Sequence, residues 1–152
     1  MRRLMLLLLA GSAVAALTVG GATAKSGRGV MCVLHAKLAA KNEVPPTTSI
    51  AKGHTQIKVR TDGTIEHKTH INNKGHETFI AGHIHQAPVG VAGPIVVPLF
   101  ASAGTSTRQI KDSGSTPGVG TTPTNLCSDP SAYYVNYHTT AFPGGAIRGQ
   151  LR

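Results

Sequence analysis

Three histidines carry the clearest chemical signal in this sequence. His83 and His85 form a His-x-His pair, and His138 lies in a strand-like stretch near the end of the chain. Since residues i and i+2 of a β-strand point to the same face, the pair projects two imidazoles together. Two imidazoles so placed can share one Zn²⁺ or Cu²⁺ ion. The pattern predicts a copper or zinc site with His138 as the third ligand and His70 as the candidate fourth.

The same histidines have a second interpretation that needs no metal. Buried polar side chains are normally hydrogen-bonded, and at a strand end the nearest acceptors are loop carbonyl groups. In that case His83 and His85 would lock the loop that follows them, and His138 would do the same for the C-terminal hairpin. The residue types and their spacing leave both interpretations open.

The segment 86–94 directly follows the histidine pair and is rich in glycine and proline. Such a composition is typical of surface loops, which often carry binding residues. We predict that this loop and the tract 101–125 present a binding surface to an unidentified extracellular or envelope partner. The residues assigned to the binding loop are Gln86, Pro88, Gly90, Gly93 and Pro94.

The sequence contains few residue patterns that are typical of catalytic sites. It has no Gly-x-Ser-x-Gly elbow and no phosphate-cradling glycine loop. A superoxide-dismutase-like activity is a third alternative. Its second metal would need further His and Asp ligands, but 86–94 contains neither residue type and 101–125 contains only Asp112. The residues therefore favour a non-catalytic binding module over a metal-dependent oxidoreductase.

The clearest structural element that the sequence predicts is a β-hairpin. Residues 55–60 and 64–72 alternate polar and apolar side chains on either side of the turn dipeptide Asp62-Gly63. Further strands are expected close by in sequence, and Pro98 places one of them at a sheet edge or a bulge. They are predicted at 31–38, 78–85, 95–100 and, as a closing pair, within 131–151.

The tract 101–125 is predicted to be mostly loop, with a short strand around 107–110, since its Ser, Thr, Gly and Pro residues show no apolar period. Short strands, turn residues between them and little helical periodicity together indicate an all-β chain. The expected fold is a single antiparallel β-sandwich or barrel-like domain with long Gly/Pro/Ser/Thr loops.

The N-terminus has the features of a secretory signal peptide. Arg2 and Arg3 precede an apolar run, and Ala22-Thr23-Ala24 supplies a small-residue cleavage site before Lys25. We predict a signal peptide at 1–24, an N-terminal segment with the first strand at 25–37 and the main β domain at 38–152. A retained membrane anchor is the alternative. Cleavage near Ala24-Lys25 would place a monomer without a transmembrane span in the periplasm or outside the cell.

The two cysteines, Cys32 and Cys127, lie near opposite ends of the predicted mature chain. In an exported protein such a pair indicates a disulfide, with a cysteine metal site as the rival interpretation. The chain carries a net charge of +9, but its basic residues are scattered and aromatic residues make up only 4%. Because a nucleic-acid surface needs clustered positive charge and stacking rings, we expect no nucleic-acid partner.

Three motifs carry a family resemblance, and together they extend over about 38–152. They are Lys41-Asn42-Glu43-Val44-Pro45-Pro46, Ala81-Gly82-His83-Ile84-His85 with Gly93-Pro94-Ile95-Val96, and Tyr134-Val135-Asn136-Tyr137-His138-Thr139 with the segment from Pro143 to Leu151. The chain resembles the CHRD domain family, named from chordin and widespread in bacterial exported proteins.

The resemblance implies a β-sandwich-like domain with an extracellular or periplasmic location, and it implies little chemistry. In the third motif we expect structural roles for Asn136, Gly144, Gly145 and Arg148. The chain departs from the family pattern at Ala146, where glutamate is frequent, and at His67 and His70, where apolar or aromatic residues are more usual.

Overall fold

The computed structural model describes residues 29–152, so the predicted signal peptide lies outside the described residues. Within this part of the chain, no helix is long and apolar enough to cross a membrane. Short 3₁₀ turns lie at Ala40–Asn42 and Pro130–Ala132. The strands and the helix are β1 (Val30–Ala39), β2 (Lys52–Arg60), β3 (Thr64–Asn72), β4 (Phe79–Gln86), β5 (Ile95–Thr105), β6 (Gln109–Pro117), α1 (Thr122–Ser128), β7 (Tyr133–Thr139) and β8 (Ile147–Gln150).

All eight strands belong to one sheet, in the order β5-β4-β7-β8-β1-β2-β3-β6, and every neighbouring pair is antiparallel. The sheet curls until its two edge strands approach each other, where the Thr116 hydroxyl donates to the Pro98 carbonyl over 3.0 Å. The all-β prediction is confirmed, as a nearly closed barrel. Pro98 lies in an edge strand, as predicted, because an edge strand tolerates a residue without an N–H donor.

The predicted hairpin is present as β2 and β3. Ile57, Val59 and Ile65 point into the barrel and are fully buried, while the alternate residues face outward. At the turn between the strands, Gly63 adopts a φ of 82°, a left-handed conformation that favours glycine. Alternation with period two and turn chemistry are both local properties, so the sequence alone was sufficient to locate this element.

The prediction that 101–125 is mostly loop was wrong. β5 continues to Thr105, β6 occupies Gln109–Pro117 and α1 follows at Thr122–Ser128. β6 pairs with β3 along its whole length. Ile110 is the one large apolar side chain that β6 directs into the barrel. Because backbone pairing and not an apolar period stabilises this strand, its sequence resembles that of a loop.

The predicted disulfide is present between Cys32 in β1 and Cys127 in α1, with the two Cα atoms 5.8 Å apart. The bond holds the helix against the barrel, where Leu126 is fully buried. It closes a loop with a sequence separation of 95. On the chain-entropy model, closing such a loop stabilises the fold by roughly 4–5 kcal/mol.

Candidate metal centre

The pairing of β4 with β7 positions the three histidines. In the register, His83 lies opposite Asn136 and His85 opposite Tyr134. Ile84 points into the barrel and is fully buried, so the two flanking histidines of β4 face outward. His138 occupies the same outer face of the neighbouring strand. One candidate ligand atom from each of the three histidines lies within 4.8 Å of the other two.

The closest pair of ring nitrogens in this group is His83 Nδ1 and His138 Nε2, which are 3.0 Å apart. Two nitrogens bound to one tetrahedral ion at about 2.0 Å would be roughly 3.3 Å apart. The ring of His85 is close to both, with centroid separations of 5.7 Å from His83 and 5.9 Å from His138. The three rings therefore converge on a volume the size of one ion.

Backbone carbonyl groups fix the orientation of two of the rings. His85 Nδ1 lies 2.9 Å from the Gly93 carbonyl oxygen, and His138 Nδ1 lies 3.0 Å from that of Pro143. When each Nδ1 donates, the lone pair is left on Nε2, which is the tautomer that a metal ligand needs. His85 Nε2 is buried and has no hydrogen-bond partner among the described residues.

The hydrogen bonds to loop carbonyls that the metal-free interpretation expects are thus present for His85 and His138. They use Nδ1 of each ring, while His138 Nε2 lies 3.0 Å from His83 Nδ1 and His85 Nε2 has no partner among the described residues. His83 differs, since its Nδ1 faces His138 and not a carbonyl. Carbonyl anchoring and metal ligation therefore do not compete for the same atoms.

Burial keeps these imidazoles neutral. Burial, together with the neighbouring His138 and His85, lowers the pKa of His83 to about 4. Burial also lowers the pKa values of His85 and His138, although their hydrogen bonds to the Gly93 and Pro143 carbonyls oppose the shift. Neutral imidazoles need release no proton to bind a metal ion, but His83 must first move its proton from Nδ1, which donates to His138 Nε2.

A stack of planar groups supports the centre from one side. Tyr134 stacks on His85 with ring centroids 4.8 Å apart and planes 11° from parallel. The Arg148 guanidinium carbon lies 3.4 Å from the Tyr134 ring centroid, a cation–π contact. Arg148 also donates from Nη2 to the Pro88 carbonyl oxygen over 3.1 Å, and the Gly93 N–H donates to the Tyr134 hydroxyl over 3.1 Å. These contacts hold the 86–94 loop against the histidines.

The other residues assigned to the binding loop shape its backbone. The Gln86 N–H donates to the Pro94 carbonyl oxygen over 3.0 Å, which closes the base of the loop. Gly93 approaches Gln86 so closely that a Cβ atom would collide with the Gln86 carbonyl, and Gly90 has a φ of 81°. Between these fixed points, Val89 and Val91 are 76% and 49% exposed.

The structure does not bring His70 to the group. This residue lies in β3, five positions from β4 in the sheet order. Its ring instead contacts His54 of β2, with centroids 5.6 Å apart. The prediction of His70 as a fourth ligand is corrected by this placement, since a histidine in β3 faces a different side of the barrel.

Sequence reasoning from single residues missed the surroundings of Asn136. This side chain is buried opposite His83, and its Nδ2 donates to Glu43 Oε2 over 3.4 Å. The turn at Gly145, with a φ of 138°, lies so close that a Cβ atom there would meet both side chains. Glu43 belongs to the first family motif, and that was the only sequence signal pointing to it.

Fold and site define an outward-facing three-histidine centre on a nearly closed antiparallel β-barrel. A model of the CHRD domain matches residues 34–151. The chain belongs to the CHRD domain family, which confirms the resemblance. Neither a curated protein nor a solved structure matches the chain significantly.

Proposed function

We propose that this CHRD-domain protein is exported and binds one copper or zinc ion through His83, His85 and His138, as a non-catalytic module. The observation that carries the proposal is the convergence of three imidazole nitrogens within 4.8 Å of one another. The opposite ring nitrogens of His85 and His138 contact carbonyl oxygens, as they do in metal sites with an ordered outer shell.

The ligand chemistry supports copper and zinc over other ions. The group offers imidazole nitrogens, which suit Zn²⁺ and Cu²⁺, whereas Ca²⁺ and Mg²⁺ prefer oxygen ligands. Three protein ligands leave a further coordination position for water or a partner's side chain. At equal availability, the general order of divalent affinities puts copper above zinc.

Two features support a location outside the cytoplasm. The N-terminal 24 residues have the composition of a signal peptide. The Cys32–Cys127 disulfide is of the kind that persists in oxidising compartments. We propose a secreted or periplasmic monomer that presents the metal centre and the adjoining loop to its surroundings.

Thermal and denaturant unfolding of the purified, metal-free protein with added Cu²⁺ or Zn²⁺ tests the metal site. An ion that binds only the native state raises the free energy of unfolding by about 2.7 kcal/mol at a hundredfold excess over its dissociation constant. His85→Ala should abolish this gain, whereas His70→Ala is the matched control and should retain it. No gain in the wild type, or an equal gain in His85→Ala, would refute the site.

A protein-binding surface on the 86–94 loop is the second candidate function. It is favoured by the exposure of Val89 and Val91 beside Ile95, which is itself 54% exposed. Capture of an envelope protein by the wild type but not by a Val89→Ser variant, with metal binding unchanged in both, would favour this function. Equal capture by both proteins would count against it.

A further inference from the structure

A cavity lies on the outer side of the barrel, between the segments 41–44 and 88–90. It encloses about 310 Å³ and is lined by Glu43, Arg148, Val44 and Val89, with Lys41 at its rim. A cavity of this size is within the range of small-molecule sites. None of the three candidate metal ligands lines it, so it is a separate site from the metal centre.

Two buried ionisable side chains, Glu43 and Arg148, line this cavity without forming an ion pair with each other. Glu43 is 6% exposed and Arg148 is 3% exposed. No ion pair within 4.0 Å joins them in the described part of the chain. Burying an ionised side chain away from an opposite charge costs free energy, because no direct ion pair offsets the hydration that it loses. A ligand that carries both charges would bridge them.

Glu43 forms the acceptor end of the cavity, and Asn136 contacts Glu43 but does not line the cavity. Glu43 Oε1 and Asn136 Oδ1 are both buried, and neither has a hydrogen-bond partner among residues 29–152. The two side chains are in contact through Asn136 Nδ2 and Glu43 Oε2. An ammonium group has three N–H donors and a positive charge, so it can donate to Glu43 and stabilise its carboxylate form.

The donor end is the Arg148 guanidinium. Its Nη2 donates to the Pro88 carbonyl oxygen, and its plane lies over Tyr134, so its position is fixed on two sides. A guanidinium has five N–H donors, which leaves others for a carboxylate, the anion that its fork geometry matches best. The exposed side chains of Val44 and Val89 add apolar surface at the cavity.

We propose that this cavity binds a free α-amino acid with an aliphatic side chain. Its ammonium group would contact Glu43, its carboxylate would contact Arg148, and its side chain would pack against the two valines. The metal centre is not needed for this binding, so either site can fail while the other holds.

Isothermal titration calorimetry of the metal-free protein with L-leucine tests the proposal. N-acetyl-L-leucine lacks the ammonium group and L-leucinamide lacks the carboxylate, and each should bind at least tenfold more weakly than L-leucine. Glu43→Gln should weaken L-leucine binding at least tenfold. Glu77→Gln is the matched control, since Glu77 lies outside the cavity, and it should leave binding unchanged.

Val89→Trp provides a variant that does not touch the buried charges. A tryptophan at the cavity mouth should block L-leucine without changing the free energy of unfolding, since Val89 is mostly exposed. Absence of L-leucine binding to the wild type at millimolar concentration would overturn the proposal. So would equal binding of all three compounds, or undiminished binding to both Glu43→Gln and Val89→Trp.

Discussion

Histidines lie on both sides of this sheet, and the two groups differ in what their nitrogens contact. Inside the barrel, His67 Nε2 lies 3.0 Å from Asp112 Oδ2, which also accepts from the Tyr137 hydroxyl over 2.7 Å. The Tyr137 hydroxyl is 2.8 Å from Thr69 Oγ1, so strands β3, β6 and β7 are joined across the interior. On the outer face, the converging nitrogens contact only each other or no described atom.

This difference separates a structural polar network from a candidate binding site. The interior network pairs its polar atoms with protein atoms, except for His67 Nδ1. Such pairing stabilises a unique barrel closure, because a half-satisfied network would be costly in the interior. In the outer group, His83 Nδ1 donates to His138 Nε2 over 3.0 Å, and His85 Nε2 has no partner among the described residues, so a cation could replace the shared proton and bind all three rings. The position of a histidine in the sequence does not reveal which kind it is.

His138→Ala should have the largest effect on the outer group. Removing one of three ligands should weaken Cu²⁺ or Zn²⁺ binding at least a hundredfold and abolish metal-dependent stabilisation. The measurement is calorimetric titration of each metal into variant and wild type. His67→Ala is the matched interior variant, and it should bind metal like the wild type. If the two variants lose affinity equally, the contrast between the two groups fails.

Tyr137→Phe should have the converse effect. The substitution leaves Asp112 Oδ2 and Thr69 Oγ1 without the phenol in the barrel interior, which should cost about 1–3 kcal/mol of unfolding free energy. Metal affinity should not change, because the Tyr137 side chain lies on the opposite face from His138. Urea unfolding gives the first quantity and metal titration the second. Unchanged stability would show that the interior network contributes nothing to closure.

Glu43 should make stability depend on pH. Burial raises the pKa of this carboxyl to about 7 from an ordinary value of 4.5, against the lowering effects of Arg148 and the Asn136 hydrogen bond. Between these values the native state binds more protons than the unfolded state, so this contribution to stability is full below pH 4.5 and is lost as pH rises through 7.

The check on Glu43 is urea unfolding of the metal-free protein from pH 4.5 to 8. The unfolding free energy of the wild type minus that of Glu43→Gln should decrease as pH rises. The histidines are common to both proteins, so their contribution cancels in this difference. A difference that is constant with pH would contradict the raised pKa.

Tyr134→Phe should have the smallest effect. It removes the hydroxyl that accepts from the Gly93 N–H but keeps the ring that stacks on His85. We expect a loss of about 0.5–1.5 kcal/mol in unfolding free energy. Metal affinity should fall only a few-fold, because the Gly93 carbonyl that orients His85 becomes less fixed. A full loss of metal binding would mean that the hydroxyl has a direct role at the centre.

Local patterns predicted much of this architecture. The β2–β3 hairpin followed from alternation and an Asp-Gly turn, and the shared face of His83 and His85 followed from strand geometry. The choice of His138 as their neighbour rested on its place in a strand. Its register against β4 is set by long-range pairing between residues about fifty positions apart.

Other features depend on barrel closure and left no local pattern. β6 was predicted only as a short strand around 107–110, because its later inward positions carry Asp112 and Gly114 where an apolar residue would have marked a strand. His70 was misplaced because strand order, and not strand content, determines which outward faces meet. The unpaired Glu43 and Arg148 were not foreseen as a site, since their shared cavity forms only when the 41–44 and 88–90 segments meet.

Electron paramagnetic resonance of the protein loaded with one equivalent of Cu²⁺ tests the central claim most directly. Three imidazole ligands should give nitrogen hyperfine structure from three equatorial nitrogens. His83→Ala, His85→Ala and His138→Ala should each lose one nitrogen, and His70→Ala should lose none. A spectrum of copper bound by oxygen ligands alone, or spectra identical in all four variants, would contradict a metal centre at this site.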